Sequence, residues 1–324
     1  MKELGIEDIR SAAQRLNGKL IHTPVLQSSQ LNDLLGHEFY FKCENFQHIG
    51  AFKARGALNT LLWLKEQNRL PEKVVAYSSG NHAQAVAWAC KQLGVKAQIF
   101  MPGNVSKVKS EGTRALGAEL TFTSSRQEAE ALADEAQLSG AYLVPPYDHD
   151  QVICGQGTAA LEAMEALGGE SVDAVFVPIG GGGLATGTLL AVKGFKPKIN
   201  VIAGEPEAGN DAIQSLRSGA IVRLKESPDT LADGARTLSL SPRTFHYLKK
   251  LDDYFEVTEE EILEWTQKLI HFVKVQIEPT SALPMAAAVK WLKCQDQPKK
   301  VLVLLSGGNM DLETHRKIWE TSYI

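Results

Sequence analysis

The sequence predicts an α/β fold in which two largely parallel sheets are covered by helices. Short apolar runs alternate with helical patterns through most of the 324 residues, which is typical of parallel sheets. These units fall into two sets, and a chain of this length has room for two cores. Three predicted strands run directly into polar or glycine-rich segments, and parallel sheets bind ligands at the carboxyl ends of their strands. We therefore predict two doubly wound domains with a ligand cleft between them.

The first set of units lies between Lys73 and Tyr147. In order, it reads as strand 74–77, helix 81–93, strand 97–101, helix 106–116, strand 119–122, helix 127–138 and strand 142–144. Strand 74–77 ends at the polar run Ser78-Ser79-Gly80-Asn81. We assign residues 69–148 to a small domain.

The second set of units follows the small domain. In order, it reads as helix 157–167, strand 174–178, helix 184–193, strand 199–203, helices 259–275 and 281–293, and strand 301–305. Strand 174–178 runs into four consecutive glycines, and strand 301–305 runs into Ser306-Gly307-Gly308-Asn309. We assign residues 1–68 and 149–324 together to a large domain.

Composition excludes several classes of partner. The formal net charge is −4 and the Lys and Arg residues are spread along the chain. The sequence therefore shows no cluster of basic residues of the kind that binds nucleic acid. The N-terminus lacks the basic-then-apolar order of a signal peptide, and no stretch approaches the roughly 18 apolar residues of a membrane span. The four cysteines form no CxxC pair, which favours reduced thiols. We predict a cytoplasmic protein that acts on a small molecule, without a nucleic-acid or membrane partner.

The four glycines, Gly180, Gly181, Gly182 and Gly183, are the strongest local feature. Glycine lets backbone N–H groups approach an anion closely, and the following helix presents its positive end, so a phosphate is the natural ligand. No Lys-Ser or Lys-Thr follows, so this is not a Walker A loop. Gly180, Gly182 and Ala185 also fit the G-x-G-x-x-A form, with Glu205 after the next strand. The run alone therefore fits a dinucleotide as well as another phosphate-bearing cofactor.

Three further segments carry residue types suited to a ligand site. Lys53 stands among small and aromatic residues, where desolvation can make its amine a nucleophile, although a lysine at a helix start is usually solvated. The run from Ser78 to His82 can bind a carboxylate or serve as a simple N-cap. Glu205, Gly209 and Asp211 could share a hard cation, but spacing alone favours an acidic helix N-terminus.

Taken together, the segments resemble the fold type II, tryptophan synthase β-like enzymes that use pyridoxal 5'-phosphate (PLP). The resemblance is to their serine racemase and serine/threonine dehydratase branch, and within it to the microbial serine racemases and threo-3-hydroxyaspartate dehydratases. It runs from His22-Thr23-Pro24 to Ser306-Gly307-Gly308-Asn309. The matching segments, in order, are Lys42-Cys43-Glu44-Asn45-Phe46-Gln47, Ala51-Phe52-Lys53-Ala54-Arg55-Gly56-Ala57, residues 78–84, Gly155-Gln156-Gly157-Thr158, the glycine run, Ala232-Asp233-Gly234 and Glu278-Pro279-Thr280. Their occurrence in family order favours PLP over a dinucleotide.

The resemblance implies a role for each site residue. Lys53 would hold PLP covalently and act as base on one face of the substrate Cα, and Ser79 would act on the opposite face. The cofactor would also contact Phe52, Asn81, Gly180, Gly181, Gly182, Gly183, Leu184, Gly234, Glu278 and Ser306. Of these, Asn81 would bond the 3-oxygen, the glycines with Leu184 the phosphate, and Ser306 the pyridine nitrogen.

The resemblance also implies the substrate and metal contacts. The substrate would contact Ser78, Ser79, Asn81, His82 and Arg126, and Mg²⁺ or Mn²⁺ would bind Glu205, Gly209 and Asp211 in a structural or activating role. Two residues depart from many members of the family, Ala51 before Phe-Lys and Ala83 after Asn-His, and both variants occur in the microbial subgroup.

The resulting functional prediction is a PLP-dependent ammonia-lyase acting on L-threonine or L-serine. It would release a 2-oxo acid and ammonia, and it would also racemise serine if Ser79 can reprotonate the opposite face. One alternative is an L-threo-3-hydroxyaspartate dehydratase, and another is an NAD-dependent oxidoreductase built on the glycine run. A non-catalytic metabolite-binding protein is disfavoured by the intact Lys53, Ser79, Asn81 and Ser306. The family resemblance also implies a homodimer.

Overall fold

A computed structural model describes residues 2–78, 80–103, 107–168 and 172–324 of the chain. Within them, the strands are β1 (Val25–Leu26), β2 (Glu38–Cys43), β3 (Lys73–Tyr77), β4 (Lys96–Pro102), β5 (Glu119–Thr123), β6 (Tyr142–Leu143), β7 (Ala174–Pro178), β8 (Asn200–Pro206), β9 (Asp253–Val257) and β10 (Lys300–Leu305). The helices are α1 (Ile6–Leu16), α2 (Ser29–Leu35), α3 (Lys53–Glu66), α4 (Asn81–Leu93), α5 (Lys107–Ala115), α6 (Arg126–Leu138), α7 (Asp150–Ala166), α8 (Gly183–Phe195), α9 (Asp211–Ser218), α10 (Pro242–Leu248), α11 (Glu259–Val273), α12 (Leu283–Leu292) and α13 (Leu312–Ile318).

The strands form two separate sheets, as the two sets of sequence units predict. The larger sheet has the order β1-β2-β10-β7-β8-β9, and the smaller sheet has the order β5-β4-β3-β6. The short edge strand β1 pairs with β2 in the antiparallel sense, and the other described pairs are parallel. This arrangement confirms the predicted α/β class, and it directs the carboxyl ends of the parallel strands of each sheet towards one edge.

Both sheets are buried on both faces, as parallel sheets require. One face of the larger sheet packs on α1, α7 and α8 through residues such as Val175 and Leu189, and the other face packs on α11 and α12 through residues such as Phe176 and Ala286. The smaller sheet packs on α3 and α4 on one side. On its other side, Val75 and Phe100 pack against Ala129 and Ala133 of α6.

Helix α3 contacts both halves of the molecule. Leu58 and Leu61 pack into the same cluster as Val74 and Val86 of the smaller-sheet layer, while the glycine of α3, Gly56, lies against α7. All four strands of the smaller sheet that the structure describes fall within residues 69–148. The division into domains at residues 68 and 148 stays a prediction, because α3 packs both on the smaller sheet and on α7 of the larger-sheet half.

Helix α7 begins at Asp150, seven residues before the predicted start at 157. The N-cap is His149, whose Nδ1 accepts a hydrogen bond of 3.1 Å from the Gln151 amide. The prediction began late because Gly155 and Gly157 resemble helix breaks. In the structure they are buried contact points, since a Cβ on Gly155 would lie 2.6 Å from the Gly56 Cα and a Cβ on Gly157 would lie 2.7 Å from the Gly187 carbonyl oxygen.

Across the described ranges, no helix combines the length and the apolar character that a bilayer crossing requires.

Candidate active site

A cleft of about 740 Å³ opens between the two sheets. Residues at the carboxyl ends of β3, β4, β5 and β7 line it, as expected for ligand sites of parallel sheets. Among the predicted site residues, those lining the cleft are Phe52, Lys53, Ser78, Asn81, His82, Arg126, Gly180, Gly181, Gly182, Gly183, Leu184, Gly234 and Glu278. Ser79 lies outside the described residues. The fold thus brings together segments that are more than 200 residues apart in sequence.

Lys53 is the first residue of α3 and is half-buried at the edge of the cleft. Its Nζ donates a 2.7 Å hydrogen bond to the Pro146 carbonyl oxygen and lies 5.1 Å from the centre of the Phe52 ring. Burial lowers the pKa of the Lys53 amine to about 8, against a smaller opposing effect from the charge of Glu278. The amine is therefore closer to its neutral, nucleophilic form at physiological pH than an ordinary lysine.

The backbone before Lys53 is held by the segment that follows β10. The Phe52 amide donates to the Ser306 carbonyl at 3.0 Å, and Ala51 forms an isolated bridge with Gly307. Ile49 has φ +61°, a left-handed conformation that is rare for a β-branched residue. Asn309 Nδ2 donates to the Ile49 carbonyl at 2.7 Å, so this strained turn is fixed by a side chain from the opposite end of the chain.

The glycine loop, residues 180–183, connects β7 to the N-terminus of α8. Gly182 has φ +87°, and a Cβ there would lie 2.7 Å from the Leu248 side chain. A Cβ on Gly181 would overlap the ring of Tyr147, and one on Gly183 would lie 2.9 Å from the Tyr147 Cβ. The loop therefore needs glycine for its own packing. Because the glycines carry no side chains, the backbone N–H groups of the loop and the N-terminus of α8 are accessible to an anion.

Asn81 begins α4 and is held from both ends of its amide. Its Nδ2 donates to the Glu278 carboxylate at 2.9 and 3.1 Å, and its Oδ1 accepts a 2.8 Å hydrogen bond from Asn309 Nδ2. These partners fix which end of the amide faces each neighbour. Asn81 and Glu278 both line the cleft, so an oxygen of a bound ligand would share the Asn81 amide donor with the Glu278 carboxylate.

Ser306 follows the last residue of β10 and is fully buried. Its Oγ lies 3.2 Å from Ser281 Oγ, which in turn donates to the Gly307 carbonyl at 2.9 Å. Ser306 is not among the lining residues of the cleft, unlike Gly234, whose amide donates to Thr280 Oγ1 at 3.0 Å. The Ser306 hydroxyl is neutral and can donate or accept a hydrogen bond, unlike a carboxylate.

His82 and Ser78 lie on the wall that the smaller sheet contributes. His82 Nε2 is 2.8 Å from the Val144 carbonyl, which requires the proton on Nε2 and leaves Nδ1 as an acceptor. Burial, reinforced by the nearby Lys53 charge, lowers the His82 pKa to about 3, so the ring is neutral. Ser78 Oγ accepts from the Gly80 amide at 3.2 Å, which shapes the turn that leads into α4.

Arg126 is the first residue of α6, and its side chain crosses the cleft. Its Nη1 donates to the Arg236 carbonyl at 2.7 Å, and its Nε lies 3.8 Å from Glu130 Oε1. A guanidinium has five N–H donors. Arg126 therefore retains donors for an anionic group of a ligand while these contacts hold it in place.

The predicted metal ligands lie outside the cleft, where β8 leads into α9. The fully buried Glu205 accepts hydrogen bonds from the Ala212 and Ile213 amides at 3.0 and 2.8 Å. Asp211 is also fully buried, and neither of its carboxylate oxygens has a partner in the described part of the chain. Burial raises the pKa of both groups, that of Asp211 to about 7.

A divalent cation fits this pair of carboxylates. An orphaned, buried carboxylate is costly without a counter-charge, and a cation is the natural one. Among the described residues, no cluster of three or more His, Cys, Asp or Glu side chains has metal-binding geometry. The candidate centre therefore depends on the Gly209 carbonyl as a third oxygen, which hard cations accept.

Sequence reasoning missed three residues of the cleft. Pro146 accepts the Lys53 hydrogen bond, Tyr147 packs on the glycine loop, and Tyr77 lines the wall at the end of β3. Pro146 acts through its backbone carbonyl, which carries no side-chain signal. The two tyrosines could have been predicted as cleft residues only from their positions near the ends of predicted strands.

A reactive amine, a glycine loop at a helix N-terminus and a fixed amide meet in one cleft of a two-sheet α/β fold. Together they define a class of protein that holds a phosphate-bearing cofactor and attaches its carbonyl carbon to a lysine. The chain belongs to the family of pyridoxal-phosphate dependent enzymes, whose profile matches residues 17–307. This match confirms the predicted family and cofactor, and it lends no support to the dinucleotide interpretation of the glycine loop.

Relatives of known activity cover almost the whole chain. The chain is 42% identical over 312 residues to a serine racemase of Schizosaccharomyces pombe, with 95% of each chain covered. It is 43% identical over 315 residues to an L-threo-3-hydroxyaspartate ammonia-lyase of Saccharomyces cerevisiae, covering 95% of this chain and 94% of the relative. Among solved structures, a threonine deaminase of T.th. superposes with a TM-score of 0.90 at 41% identity, covering 95% of this chain and 99% of that one.

Proposed function

We propose that this chain is a PLP-dependent ammonia-lyase that converts a β-hydroxy amino acid to a 2-oxo acid and ammonia, with serine racemisation as a second activity. The observation that carries the proposal is Lys53, whose half-buried amine has a lowered pKa and lies in the same cleft as the glycine loop. Both activities occur among the relatives that match over nearly the full length. L-serine and L-threonine are the substrates we propose first.

Four groups of this chain would hold the cofactor. The glycine loop with Leu184 would bind the phosphate, Lys53 would attach covalently, Asn81 would donate to the 3-oxygen of the cofactor, and Ser306 would face the ring nitrogen. Phe52, Gly234 and Glu278 complete the walls around it. When bound, PLP supplies an electron sink for the bond that breaks at the substrate Cα.

Lys53 is the base that removes the Cα proton in this proposal. Its lowered pKa of about 8 makes a neutral amine accessible, and the Pro146 carbonyl orients Nζ at 2.7 Å. The neutral His82, held by Val144, would position the substrate rather than donate a proton. Ser79 is our candidate for moving a proton on the opposite face, which racemisation requires.

The site is also suited to the alternative substrate, L-threo-3-hydroxyaspartate. That substrate carries a second carboxylate, and Arg126 brings guanidinium donors into the cleft. A hydroxyaspartate ammonia-lyase is among the relatives. Relative turnover of the three substrates decides between these candidates.

We also propose that Mg²⁺ or Mn²⁺ binds Glu205, the Gly209 carbonyl and Asp211 in a structural or activating role. The unpartnered Asp211 carboxylate supports this cation site, and its location outside the cleft argues against direct catalysis. We likewise propose a homodimer, which the family resemblance supports, and a cytoplasmic location, which the composition and the four free cysteines support.

An absorbance spectrum of the purified protein tests the cofactor proposal, and detection of 2-oxo acid tests the activity. We expect a visible band that shifts when L-serine, L-threonine or L-threo-3-hydroxyaspartate is added, with 2-oxo acid released from at least one of them. A colourless protein that PLP cannot reconstitute would refute the proposal.

Lys53→Ala should abolish both the visible band and turnover. The matched control is Lys65→Ala, which changes an exposed lysine of the same helix and should alter neither. Ser79→Ala should reduce racemisation, and elimination from a D-substrate, more than elimination from the L-substrate. Equal losses would argue against two acid–base groups on opposite faces.

A further inference from the structure

The segment that connects β6 to α7 contacts both the lysine amine and the glycine loop. The Pro146 carbonyl oxygen accepts the 2.7 Å hydrogen bond from Lys53 Nζ. The next residue, Tyr147, lies against the glycine loop: a Cβ on Gly181 would overlap its ring, and a Cβ on Gly183 would lie 2.9 Å from the Tyr147 Cβ. Two consecutive residues therefore touch the two groups that would hold the opposite ends of a phosphate-bearing aldehyde.

Tyr147 is also anchored through its hydroxyl. The Oη donates a 3.1 Å hydrogen bond to the Ser239 carbonyl oxygen, in the segment that precedes α10. Burial, the largest cause, raises the pKa of Tyr147, so the phenol stays protonated and remains a donor at neutral pH. The ring is thus held by the glycine loop on one side and by Ser239 at its tip, and it cannot shift without loss of one of these contacts.

The amine of Lys53 needs an anchor of this kind. Lys53 begins α3, and the helix crossings fix its backbone, but a lysine carries its amine on a flexible four-carbon stem. In the described part of the chain, the hydrogen-bond partner of Nζ is the Pro146 carbonyl. When the neutral amine donates one N–H to this carbonyl, the direction of its lone pair is restricted. The position of that carbonyl therefore decides where the amine points.

We propose that Tyr147 is a positioning residue that fixes the Pro146 carbonyl relative to the glycine loop, and through that carbonyl orients the Lys53 amine towards the aldehyde carbon of a ligand whose phosphate lies on the loop. Tyr147 itself takes no part in a chemical step. This inference rests on the proposed function, in which Lys53 and the glycine loop hold one PLP molecule, and it names the residue that brings the two contacts into register.

The test compares PLP with pyridoxal, which lacks the phosphate, on the apo-protein. Attachment joins Nζ to the aldehyde carbon and releases water, and the visible absorbance gives a dissociation constant for each compound. Borohydride reduction followed by peptide mass analysis verifies that Lys53 is the residue modified. The ratio of the two dissociation constants measures how much the phosphate contact adds once the amine is engaged. Each variant is compared with wild type, so the solution chemistry of pyridoxal cancels.

Tyr147→Phe keeps the ring on the glycine loop and removes the hydrogen bond to Ser239. We expect the preference for PLP over pyridoxal to fall by about fivefold, the value of one such hydrogen bond, while pyridoxal alone stays within about twofold of wild type. Tyr147→Leu also removes the ring and should lower the preference further, and thermal unfolding shows that each variant is folded.

Tyr247→Phe is the matched control. Tyr247 is a buried tyrosine of α10 whose Oη accepts a 2.7 Å hydrogen bond from the Leu4 amide. The substitution therefore removes a tyrosine hydroxyl that bonds the backbone, as in Tyr147→Phe, but away from the Lys53 amine. Its preference for PLP over pyridoxal should stay within about twofold of wild type.

A role of Tyr147 in general stability alone would weaken both compounds by the same factor. The inference is therefore overturned if Tyr147→Phe changes PLP and pyridoxal equally or changes neither, and also if Tyr247→Phe lowers the preference as much. If wild-type protein attaches neither compound at Lys53, the proposed function is wrong, and the inference falls with it because there is then no amine contact for Tyr147 to position.

Discussion

Gly157→Ala tests whether close helix contacts set the geometry of the cofactor site. Gly157 lies in the middle of α7, where that helix crosses α8. A Cβ on Gly157 would lie 2.7 Å from the Gly187 carbonyl oxygen and 2.8 Å from Ile9 Cδ1. The first obstacle is backbone and cannot rotate away, so α7 and α8 would have to separate by a sizeable fraction of an ångström.

The magnitude follows from overpacking. Inserting a methyl group into a close-packed interior typically costs about 1–3 kcal/mol. For a protein of this length that corresponds to a melting temperature lower by about 2–5 °C. Because α8 carries the glycine loop at its N-terminus, we also expect the dissociation constant of PLP to rise by about tenfold, since small displacements of positioned groups are costly.

The assay is thermal unfolding of the apo-protein together with a PLP titration. Gly112→Ala is the matched control: it lies in helix α5, its added Cβ would meet only Gln84 atoms at 3.8 and 3.9 Å, and alanine favours a helix by up to about 1 kcal/mol. The control should be at least as stable as wild type. A Gly157→Ala protein with wild-type stability and wild-type PLP affinity would refute the idea that this crossing fixes the site.

Three further predictions concern charged groups. Covalent incorporation of PLP into apo-protein should accelerate as pH rises and level off above about 8, because the attacking neutral form of Lys53 predominates above its lowered pKa; a rise continuing beyond about pH 10, the ordinary lysine pKa, would contradict this. Mg²⁺ should raise the melting temperature of wild type and of Glu207→Gln, an exposed neighbour, but not of Asp211→Asn; an equal rise in all three would exclude the proposed cation site. In urea unfolding, Glu44→Gln should lower the free energy of unfolding by about 3–5 kcal/mol, because the buried charge of Arg55 would lose one of its partners. The control Glu66→Gln, which removes the half-exposed partner of Arg15, should lower it by less than about 1 kcal/mol.

The sequence located most strands and helices because their apolar runs are short and sharply bounded. The strands β3, β4, β5, β7 and β10 lie within one or two residues of the predicted ranges. The strand β9 was not predicted: it is an edge strand with the sequence Asp-Tyr-Phe-Glu-Val, and four of its five residues are only half-buried. The strand conformation of β9 depends on its pairing with β8, which the local sequence pattern does not reveal.

Individual site residues were weak in the sequence and became specific only in combination. Lys53 alone resembles any lysine at a helix start, and its lowered pKa depends on the surroundings that the folded chain builds around it. The partners of Asn81 come from Glu278 and Asn309, about 200 residues away. Motifs in family order predicted the residues that line the cleft, but no local pattern could predict a backbone carbonyl such as that of Pro146.

Packed helices join the segment that begins at Lys53 to the glycine loop. Helix α7 lies between α3, which begins at Lys53, and α8, which begins at the glycine loop. Glycines at both crossings let the backbones touch, so the separation of the Lys53 amine from the glycine loop is set by backbone contact rather than by adjustable side chains.

The buried ion pairs of Arg55 with Glu44 and Glu162 add polar contacts to this packing. Arg55 is two residues after Lys53, Glu44 follows β2 and Glu162 belongs to α7, with contacts of 2.6 and 2.7 Å. Such a network contributes little net stability compared with apolar packing, but it admits one arrangement of the three elements. The Arg55 contacts therefore tie α3 both to the segment that follows β2 and to α7, two residues after Lys53.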